Sequence, residues 1–323
     1  MDLGVHLPQL SLGAEPLSLR RLSDTVDAAR ELGFAAVSAN DHLVFAAPWL
    51  DGPTALAAVV ERSGDLELAT TLALPVVRGP VPLAKALAAI DLLSEGRLIA
   101  AVGPGSSRRD FDAVGIAFDE RWSRLDEAIA VLRALLGDAQ LPSDPRHYPL
   151  EDGFELAPGP HRAGGIPLWV ASWGSAAGLA RVARSGDGWL ASAYNTTPEG
   201  FAAGRAELHR RLREHGREAD GFPNALATMW TWVAADQAEG KRVLADKLAP
   251  QLGRDPAELA EQVCVGTAEH CAQLLSRYAR AGCERVYLWP LADERRQLEL
   301  VAADVAPLMR AEASDPLRRI PRQ

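Results

Sequence analysis

The sequence lacks the features of a membrane or secreted protein. It contains no stretch of 18 or more apolar residues, so no membrane-spanning helix is expected. Its first ten residues, MDLGVHLPQL, have neither the basic start nor the apolar centre of a signal peptide, and they are typical of a first strand. We therefore expect a cytoplasmic protein without a membrane partner.

Basic runs and cysteines are also scarce. The chain has 34 Lys and Arg against 43 Asp and Glu, a net charge of -9, and no basic run long enough to follow a nucleic acid backbone. No nucleic acid partner is therefore expected. Its three cysteines, Cys264, Cys271 and Cys283, have spacings that fit neither a disulfide framework nor a CxxC metal or redox site. We expect them to be reduced and structural.

The sequence does contain a regular alternation of apolar strands and amphipathic helices. Near-continuous apolar strands separated by helices indicate a parallel sheet that is covered on its outer face. Eight strand-helix units in 323 residues predict an α/β fold of the (β/α)8 TIM-barrel type, with a doubly wound sheet as the alternative. The predicted strands are 3–7, 35–39, 66–74, 98–102, 167–171, 188–192, 226–234 and 285–289.

Capping residues and irregular segments complete the predicted organisation. The predicted N-caps are Ser18, Asp119, Thr197 and Asp236, and the predicted terminating glycines are Gly33 and Gly137. The long irregular segments 103–118 and 138–166 predict insertion loops after strand 4 and before strand 5. We expect one barrel domain over 1–313 and a C-terminal tail over 314–323.

In such a barrel the active site lies where the strands end at their carboxyl sides. The side chains found there are hydroxyls, amides and aromatic rings with one clear acid and few histidines, which favours a planar ligand over a metal site or a nucleophile-base pair. His42 is either a structural histidine or a proton donor on this evidence alone. The strand-end residues are His6, Pro8, Gln9, Asn40, Asp41, His42, Thr70, Thr71, 103–107, 172–175, 192–195, Trp230, Trp232 and Trp289.

Two glycine-containing loops are candidates for cofactor contacts. Trp173-Gly174-Ser175 joins a strand to a new helix, and a helix N-terminus of this kind offers N–H groups and a positive dipole end to an anion. An ordinary capped turn is the alternative. The loop at 103–107 lacks the third glycine and the helix start of a dinucleotide motif, but its glycines permit close approach to a flat ring.

Three segments resemble the bacterial luciferase-like family of flavin- or deazaflavin-dependent barrel oxidoreductases. The most specific is RGPVPLAKALAAIDLLSEGRLIAAVGPG at 78–105, and the other two are 167–195 and 265–290. The resemblance covers nearly the whole chain. It implies a TIM barrel, a small-molecule substrate and a homodimer.

The resemblance also implies roles for individual residues. Asp41 and His42 match the position that faces the ring and serves proton transfer in deazaflavin-using members. Thr70, Thr71 and Leu72 match the strand end where many members hold a non-proline cis peptide. The further cofactor contacts implied are Gly103 and Gly105 beside the ring, and Ser172, Gly174, Ser175, Ala193 and Tyr194 around the cofactor phosphate.

The leading hypothesis is an oxidoreductase that moves a hydride between coenzyme F420 and a small organic substrate. In it, His42 donates or accepts the proton, and Asp41 orients His42 or binds the cofactor. A two-component monooxygenase that uses reduced FMN is the first alternative, and a non-catalytic cofactor-binding barrel is the second. No metal is expected.

The sequence offers several residues as substrate contacts and does not choose between them. Sugar-phosphate dehydrogenases of the family carry a glutamate shortly after the strand 4 glycine loop, where this chain has Ser106-Ser107-Arg108-Arg109, so sugar-phosphate oxidation is doubtful. The two arginines either contact an acidic ligand or are solvated. The tryptophans that either line the site or belong to the core are Trp49, Trp173, Trp230, Trp232 and Trp289.

Overall fold

The computed structural model describes residues 1–11, 16–151 and 153–314 and contains a closed parallel β-barrel. The strand order is β6-β5-β4-β3-β2-β1-β9-β7-β8, and β6 also pairs with β7, so eight strands form the barrel and β8 adds to the outer end of β7. The predicted TIM barrel is confirmed. The strands are β1 Asp2–His6, β2 Ala36–Ala39, β3 Glu67–Ala73, β4 Leu98–Val102, β5 Leu168–Ala171, β6 Gly188–Ser192, β7 Asn224–Val233, β8 Cys264–Gly266 and β9 Arg285–Pro290.

Helices surround the barrel and follow the strands along the chain. They are α1 Leu19–Glu31, α2 Gly52–Val59, α3 Pro75–Arg78, α4 Pro80–Leu93, α5 Arg108–Ala113, α6 Arg121–Leu136, α7 Ala176–Ser185, α8 Pro198–Glu214, α9 Gln237–Val243, α10 Ala249–Leu252, α11 Pro256–Ala260, α12 Ala268–Arg280, α13 Glu294–Leu300 and α14 Ala306–Ser314. Short 3₁₀ turns lie at Phe118–Glu120 and Ala193–Asn195, and π-helical turns at Leu244–Leu248 and Val301–Val305. Among the described residues, no helix is both long and apolar enough to span a bilayer.

Three of the four predicted N-caps are confirmed. The side chains of Ser18, Thr197 and Asp236 each accept a backbone N–H from the first turn of their helix. Asp119 is not a cap, because a 3₁₀ turn runs directly into α6 and Glu120 occupies the N-cap position with a helical backbone.

The lumen, which is the interior of the barrel, is filled by small and aromatic side chains. Gly4 makes room for one of the largest, since a Cβ at Gly4 would lie 2.7 Å from the ring of Tyr287. The apolar cluster of the lumen contains Ala36, Ala69, Ala101, Trp169, Leu190, Ala225, Ala227 and Tyr287. Because side chains alternate along a strand, the residues two positions further on face the same way at the barrel mouth, the carboxyl end of the strands.

The insertion before β5 is attached to the helices by two carboxylates. Glu127 accepts hydrogen bonds from the backbone N–H groups of residues 146–148 at 2.6–3.1 Å, and the buried Asp91 accepts those of residues 161 and 162. Both insertion loops lie where they were predicted.

The remaining predictions concern the chain ends and the cysteines. Residues 315–323 of the predicted tail lie outside the described residues, and the single domain over 1–313 stays a prediction. The three cysteines are free and buried, as predicted.

Candidate active site

His42 lies at the barrel mouth and is held by a buried carboxylate. Its Nδ1 atom is 2.7 Å from Oδ2 of Asp110, and the side chain of His42 is 13% exposed while that of Asp110 is fully buried. The other oxygen of Asp110 accepts the backbone N–H groups of Leu43 and Val44 at 2.9 and 2.7 Å. Because the carboxylate accepts a hydrogen from Nδ1, Nε2 is the ring atom left to exchange a proton with a ligand.

Asp41 has a different partner from the one expected. Its two oxygens bind Nε and Nη2 of Arg78 at 2.6 Å each, and Oδ2 also accepts the N–H of Leu74 at 3.2 Å. The carboxylate that orients His42 is therefore Asp110 and not Asp41. Asp41 instead connects the end of β2 to both ends of α3, which are Leu74 before its first residue and Arg78 as its last residue, and its contact with a cofactor stays a prediction.

Arg78 is the centre of a buried charge network. Besides Asp41 it binds Asp51, the N-cap of α2. Burial alone would lower the pKa of the Arg78 guanidinium, but hydrogen bonds and the charges of Asp41 and Asp51 raise its pKa above the ordinary value. This network keeps the segment after β3 in place beneath the mouth.

The end of β3 contains a non-proline cis peptide between Thr71 and Leu72, at the place that the family resemblance implied. Thr70 donates its hydroxyl hydrogen to the carbonyl oxygen of Ala101 at 2.7 Å. Thr71 is also buried, but its Oγ1 has no hydrogen-bond partner among the described residues. Leu72 packs where Gly103 lacks a side chain, since a Cβ at Gly103 would lie 2.9 Å from Cδ2 of Leu72. Gly105 has a φ of 84°.

The β5–α7 loop places an open glycine directly before a helix N-terminus, and its contact with a cofactor phosphate stays a prediction. Gly174 has a φ of 95°, and a Cβ added there would meet no atom within 4 Å. Ser175 caps α7 by accepting the N–H of Gly178 at 3.2 Å, and Ser172 accepts the N–H of Gly174 at the same distance. The loop therefore presents an open glycine at the start of a ten-residue helix.

Ala193 and Tyr194 follow β6, beside this loop. Ala193 is fully buried and Tyr194 half-buried in a 3₁₀ turn. Arg254 donates to Oδ1 of Asn195 at 2.8 Å and lies 5.8 Å from the centre of the Tyr194 ring. This arginine is a charged group near the mouth that the sequence alone did not indicate.

A continuous set of aromatic rings lines the opposite side of the mouth. Trp289 stacks on His6 at 3.4 Å and on Trp230 at 4.1 Å between ring centres. Trp49 packs edge-on against Trp289 at 5.6 Å and against His42 at 4.7 Å. Three of the five candidate tryptophans are thus brought together.

The other two tryptophans lie elsewhere. Trp173 is 55% exposed, and Nε1 of Trp232 donates to Glu239 at 3.1 Å on the outer side of β7. Arg108 and Arg109 are exposed, and the guanidinium of Arg108 lies 4.7 Å from the centre of the Phe118 ring.

A family sequence model that matches most of the chain identifies the family. The sequence model of the family described as luciferase-like monooxygenase matches residues 1–285. The chain belongs to the luciferase-like monooxygenase family.

The most similar relatives of this luciferase-like chain include two proteins named F420-dependent glucose-6-phosphate dehydrogenase. The one from Nocardia farcinica is 28% identical over 332 residues, covering 92% of this chain and 96% of the relative. The one from Mycolicibacterium smegmatis is 28% identical over 344 residues, covering 94% and 99%.

Solved structures support the same luciferase-like fold. An F420-dependent secondary alcohol dehydrogenase in complex with an F420-acetone adduct superposes with a TM-score of 0.81 over 95% of this chain and 98% of that one, at 19% identity. A monooxygenase from Streptomyces bottropensis superposes with a TM-score of 0.75 over 95% and 99%, at 22% identity. Both resemblances show the fold.

Proposed function

We propose that this luciferase-like protein is an oxidoreductase that transfers a hydride between coenzyme F420 and a small organic substrate. The observation that carries the proposal is the His42–Asp110 pair, an imidazole whose Nδ1 lies 2.7 Å from a buried carboxylate at the barrel mouth. The names of the relatives support F420 as the coenzyme, because two proteins called F420-dependent align with more than nine-tenths of the chain.

The residues between β5 and α7 suit the phosphate of the coenzyme. Gly174 and Ser175 begin α7 with an open backbone, where the helix dipole would favour a phosphate. Contact of Gly103 and Gly105 with the ring stays a prediction, because Leu72 fills the space beside Gly103 and Leu74 and Phe111 fill that beside Gly105.

In the mechanism, F420 would supply the hydride chemistry when bound, and the chain would supply position and the proton. Nε2 of His42 would exchange the proton that accompanies hydride transfer. Asp110 would keep the imidazole in one tautomer and one orientation, as a carboxylate does for a catalytic histidine. Trp49 packs on the face of this imidazole and would keep water from it.

We do not extend the named substrate of the relatives to this chain. Ser106 and Ser107 stand where the sugar-phosphate enzymes of the family carry a glutamate. Asp110, four residues after Ser106, is occupied by His42 and two backbone N–H groups. The substrate is therefore proposed only as a small organic molecule.

A monooxygenase that uses reduced FMN is the second candidate, because the family model is described as luciferase-like monooxygenase. Fluorescence titration with F420 and with FMN, followed by oxygen uptake with the reduced cofactor, separates the two. The proposal expects F420 binding and no oxygen uptake coupled to turnover. FMN binding with one oxygen consumed per reduced cofactor would favour the monooxygenase, and binding of neither would favour a non-catalytic barrel.

We also propose a homodimer, which the family resemblance implies. Light scattering after size-exclusion chromatography should give twice the chain mass of 34.6 kDa. A mass of one chain at micromolar concentration would contradict it.

A further inference from the structure

Five buried side-chain polar atoms near the barrel mouth have no hydrogen-bond partner among the described residues. One is Nε1 of the partly exposed Trp49, and the other four are Nε2 of His6, Oγ of Ser38, Oγ1 of Thr71 and Nε1 of Trp230. These four residues are 0 to 3% exposed. Since nearly all buried polar groups in folded proteins are paired and an unpaired one is costly, a group of four in one place calls for an explanation.

The four side chains share the lumen face of neighbouring strands. His6 is the register partner of Ser38, and Trp230 is that of Trp289. His6 lies two residues after Gly4, which packs on Tyr287 in the lumen cluster, and Ser38 and Thr71 lie two residues after Ala36 and Ala69 of that cluster. Trp289 stacks on both His6 and Trp230. His6, Ser38 and Thr71 therefore form one layer directly above the apolar lumen cluster, and Trp230 lies on the other face of the Trp289 ring from His6.

The hydrogen-bonding role of His6 is fixed by its surroundings. Its Nδ1 lies 2.8 Å from the carbonyl oxygen of Leu7, which can only accept, so Nδ1 carries the ring hydrogen and Nε2 presents a lone pair. Burial lowers the pKa of His6 to about 3, so the ring is neutral at neutral pH. His6 therefore requires a donor from its ligand.

The other groups of the layer complement this acceptor. The hydroxyls of Ser38 and Thr71 can donate or accept. All of these groups are uncharged, and the stacked ring of Trp289 forms the wall between His6 and Trp230. A ligand group that satisfies them is neutral and both donates and accepts, as an alcohol hydroxyl does.

We propose that His6, Ser38 and Thr71 form a subsite that anchors a hydroxyl group of a neutral substrate. The hydroxyl hydrogen is donated to Nε2 of His6, and the oxygen accepts from the hydroxyl of Ser38 or Thr71. That a substrate enters at this mouth rests on the proposed function. His6 holds the group and takes no proton from it. Trp49 packs against Trp289, so a ligand that enters from the mouth displaces the Trp49 indole.

The test compares His6→Phe with the wild-type protein. Phenylalanine keeps a ring against Trp289 and removes the acceptor. The probes are cyclohexanol, 2-butanol and benzyl alcohol together with their methyl ethers, whose oxygen can accept but not donate. Binding is measured by ligand-observed NMR and by thermal shift, without cofactor.

The proposal expects at least one alcohol to bind the wild-type protein at least tenfold more tightly than its ether. His6→Phe should lose that preference, and its Tm without ligand should equal or exceed that of the wild type, since an unpaired buried acceptor has been removed. Binding of no alcohol, equal binding of alcohol and ether, or an unchanged preference in His6→Phe would overturn the proposal. A lower Tm in His6→Phe with unchanged binding would show a structural role only.

Two neighbouring threonines supply a matched control. Thr71→Val removes an unpaired hydroxyl and should weaken alcohol binding without loss of stability, whereas Thr70→Val removes a hydroxyl bonded to Ala101 and should lower the Tm. The reverse pattern would contradict the assignment.

A separate titration with F420 identifies the source of the hydroxyl. If F420 affinity falls tenfold in His6→Phe, the subsite holds the coenzyme and not the substrate, and if wild-type protein binds alcohols but not F420, the proposed function fails alone.

Discussion

The barrel mouth has two halves built from different side chains. Strands β3 to β6 end in small residues and glycines, including Gly103, Gly105 and Gly174, and we call this the small-residue half. Strands β1, β2, β7 and β9 and the segment after β2 supply the rings of His6, His42, Trp49, Trp230 and Trp289, and we call this the aromatic half.

The difference between the halves indicates that each half has its own function. The open Gly174 lets a ligand approach the backbone at a helix N-terminus, which suits a cofactor phosphate. Packed rings exclude water and hold an imidazole in place, which suits proton exchange and substrate binding. We therefore propose that the small-residue half binds the cofactor and that the aromatic half carries out proton transfer.

Replacing His42 is expected to have the largest effect. His42→Asn should slow turnover by about 10²- to 10⁴-fold, the usual contribution of general acid-base catalysis, while F420 affinity changes by only a few fold. Steady-state kinetics with F420 and direct titration give the two quantities. His215→Asn, at the exposed end of α8, is the control and should leave both unchanged. Equal turnover in the two variants would remove the role of His42.

Removal of Arg78 is expected to have the next largest effect, on stability. Arg78→Met leaves the buried carboxylate of Asp41 without its cation, and breaking one side of a buried pair costs about 3–5 kcal/mol. Urea unfolding measures the loss. The control is Arg20→Met, whose side chain is 90% exposed beside Asp24 and should change stability by less than about 0.5 kcal/mol. Similar losses in both variants would mean that Arg78 does not stabilise the mouth.

The burial of His6 should make the stability of the protein depend on pH. Burial lowers the pKa of His6 to about 3 in the folded state, whereas the unfolded chain has the ordinary histidine pKa of 6.5. Below pH 6.5 the unfolded chain therefore binds a proton that the folded protein does not, and the free energy of unfolding falls as the pH falls toward the folded pKa. Relative to His6→Phe, the wild type should lose about 2 kcal/mol between pH 7 and pH 5. Urea unfolding of both proteins across this range measures the difference. A constant difference would show that His6 is not buried as a neutral ring.

The smallest effect is expected at Gly174. A side chain at a φ of 95° is strained, so Gly174→Ala should cost about 1–2 kcal/mol, and the added Cβ would lie in the open space proposed for the phosphate. Gly216→Ala is the matched control, because Gly216 also has a positive φ and open space but lies at the end of α8 away from the mouth. Both should lose similar stability in urea, and only Gly174→Ala should lose F420 affinity. Equal affinities would contradict a phosphate at this loop.

Much of the fold could be predicted because its signals are local. All eight barrel strands were found within two residues of their bounds, since each is a short apolar run between helix signals. The ninth strand, Cys264–Gly266, was missed because three residues give no periodicity and it pairs only with the end of β7. Helix α5 was missed because its six residues lie inside a glycine-rich loop.

The candidate site was predicted less completely because its decisive contacts are not local. His42 could be found from its place after a strand, but its partner Asp110 is 68 residues away and Arg78 is 37 residues from Asp41. The signal for Asp110 was its position after β4, next to Arg108 and Arg109. A sequence alone cannot tell which of two neighbouring acids, Asp41 or Asp110, meets the imidazole, since that depends on how the loops after β2 and β4 pack.

The measurement that tests the account most directly is a paired determination of F420 affinity and turnover in the wild type, His42→Asn and Gly174→Ala. The account predicts that His42→Asn binds F420 normally and turns over slowly, whereas Gly174→Ala binds F420 weakly and regains turnover at saturating F420. Loss of F420 binding in His42→Asn, or normal binding in Gly174→Ala, would contradict the division of the mouth into a cofactor half and a proton-transfer half.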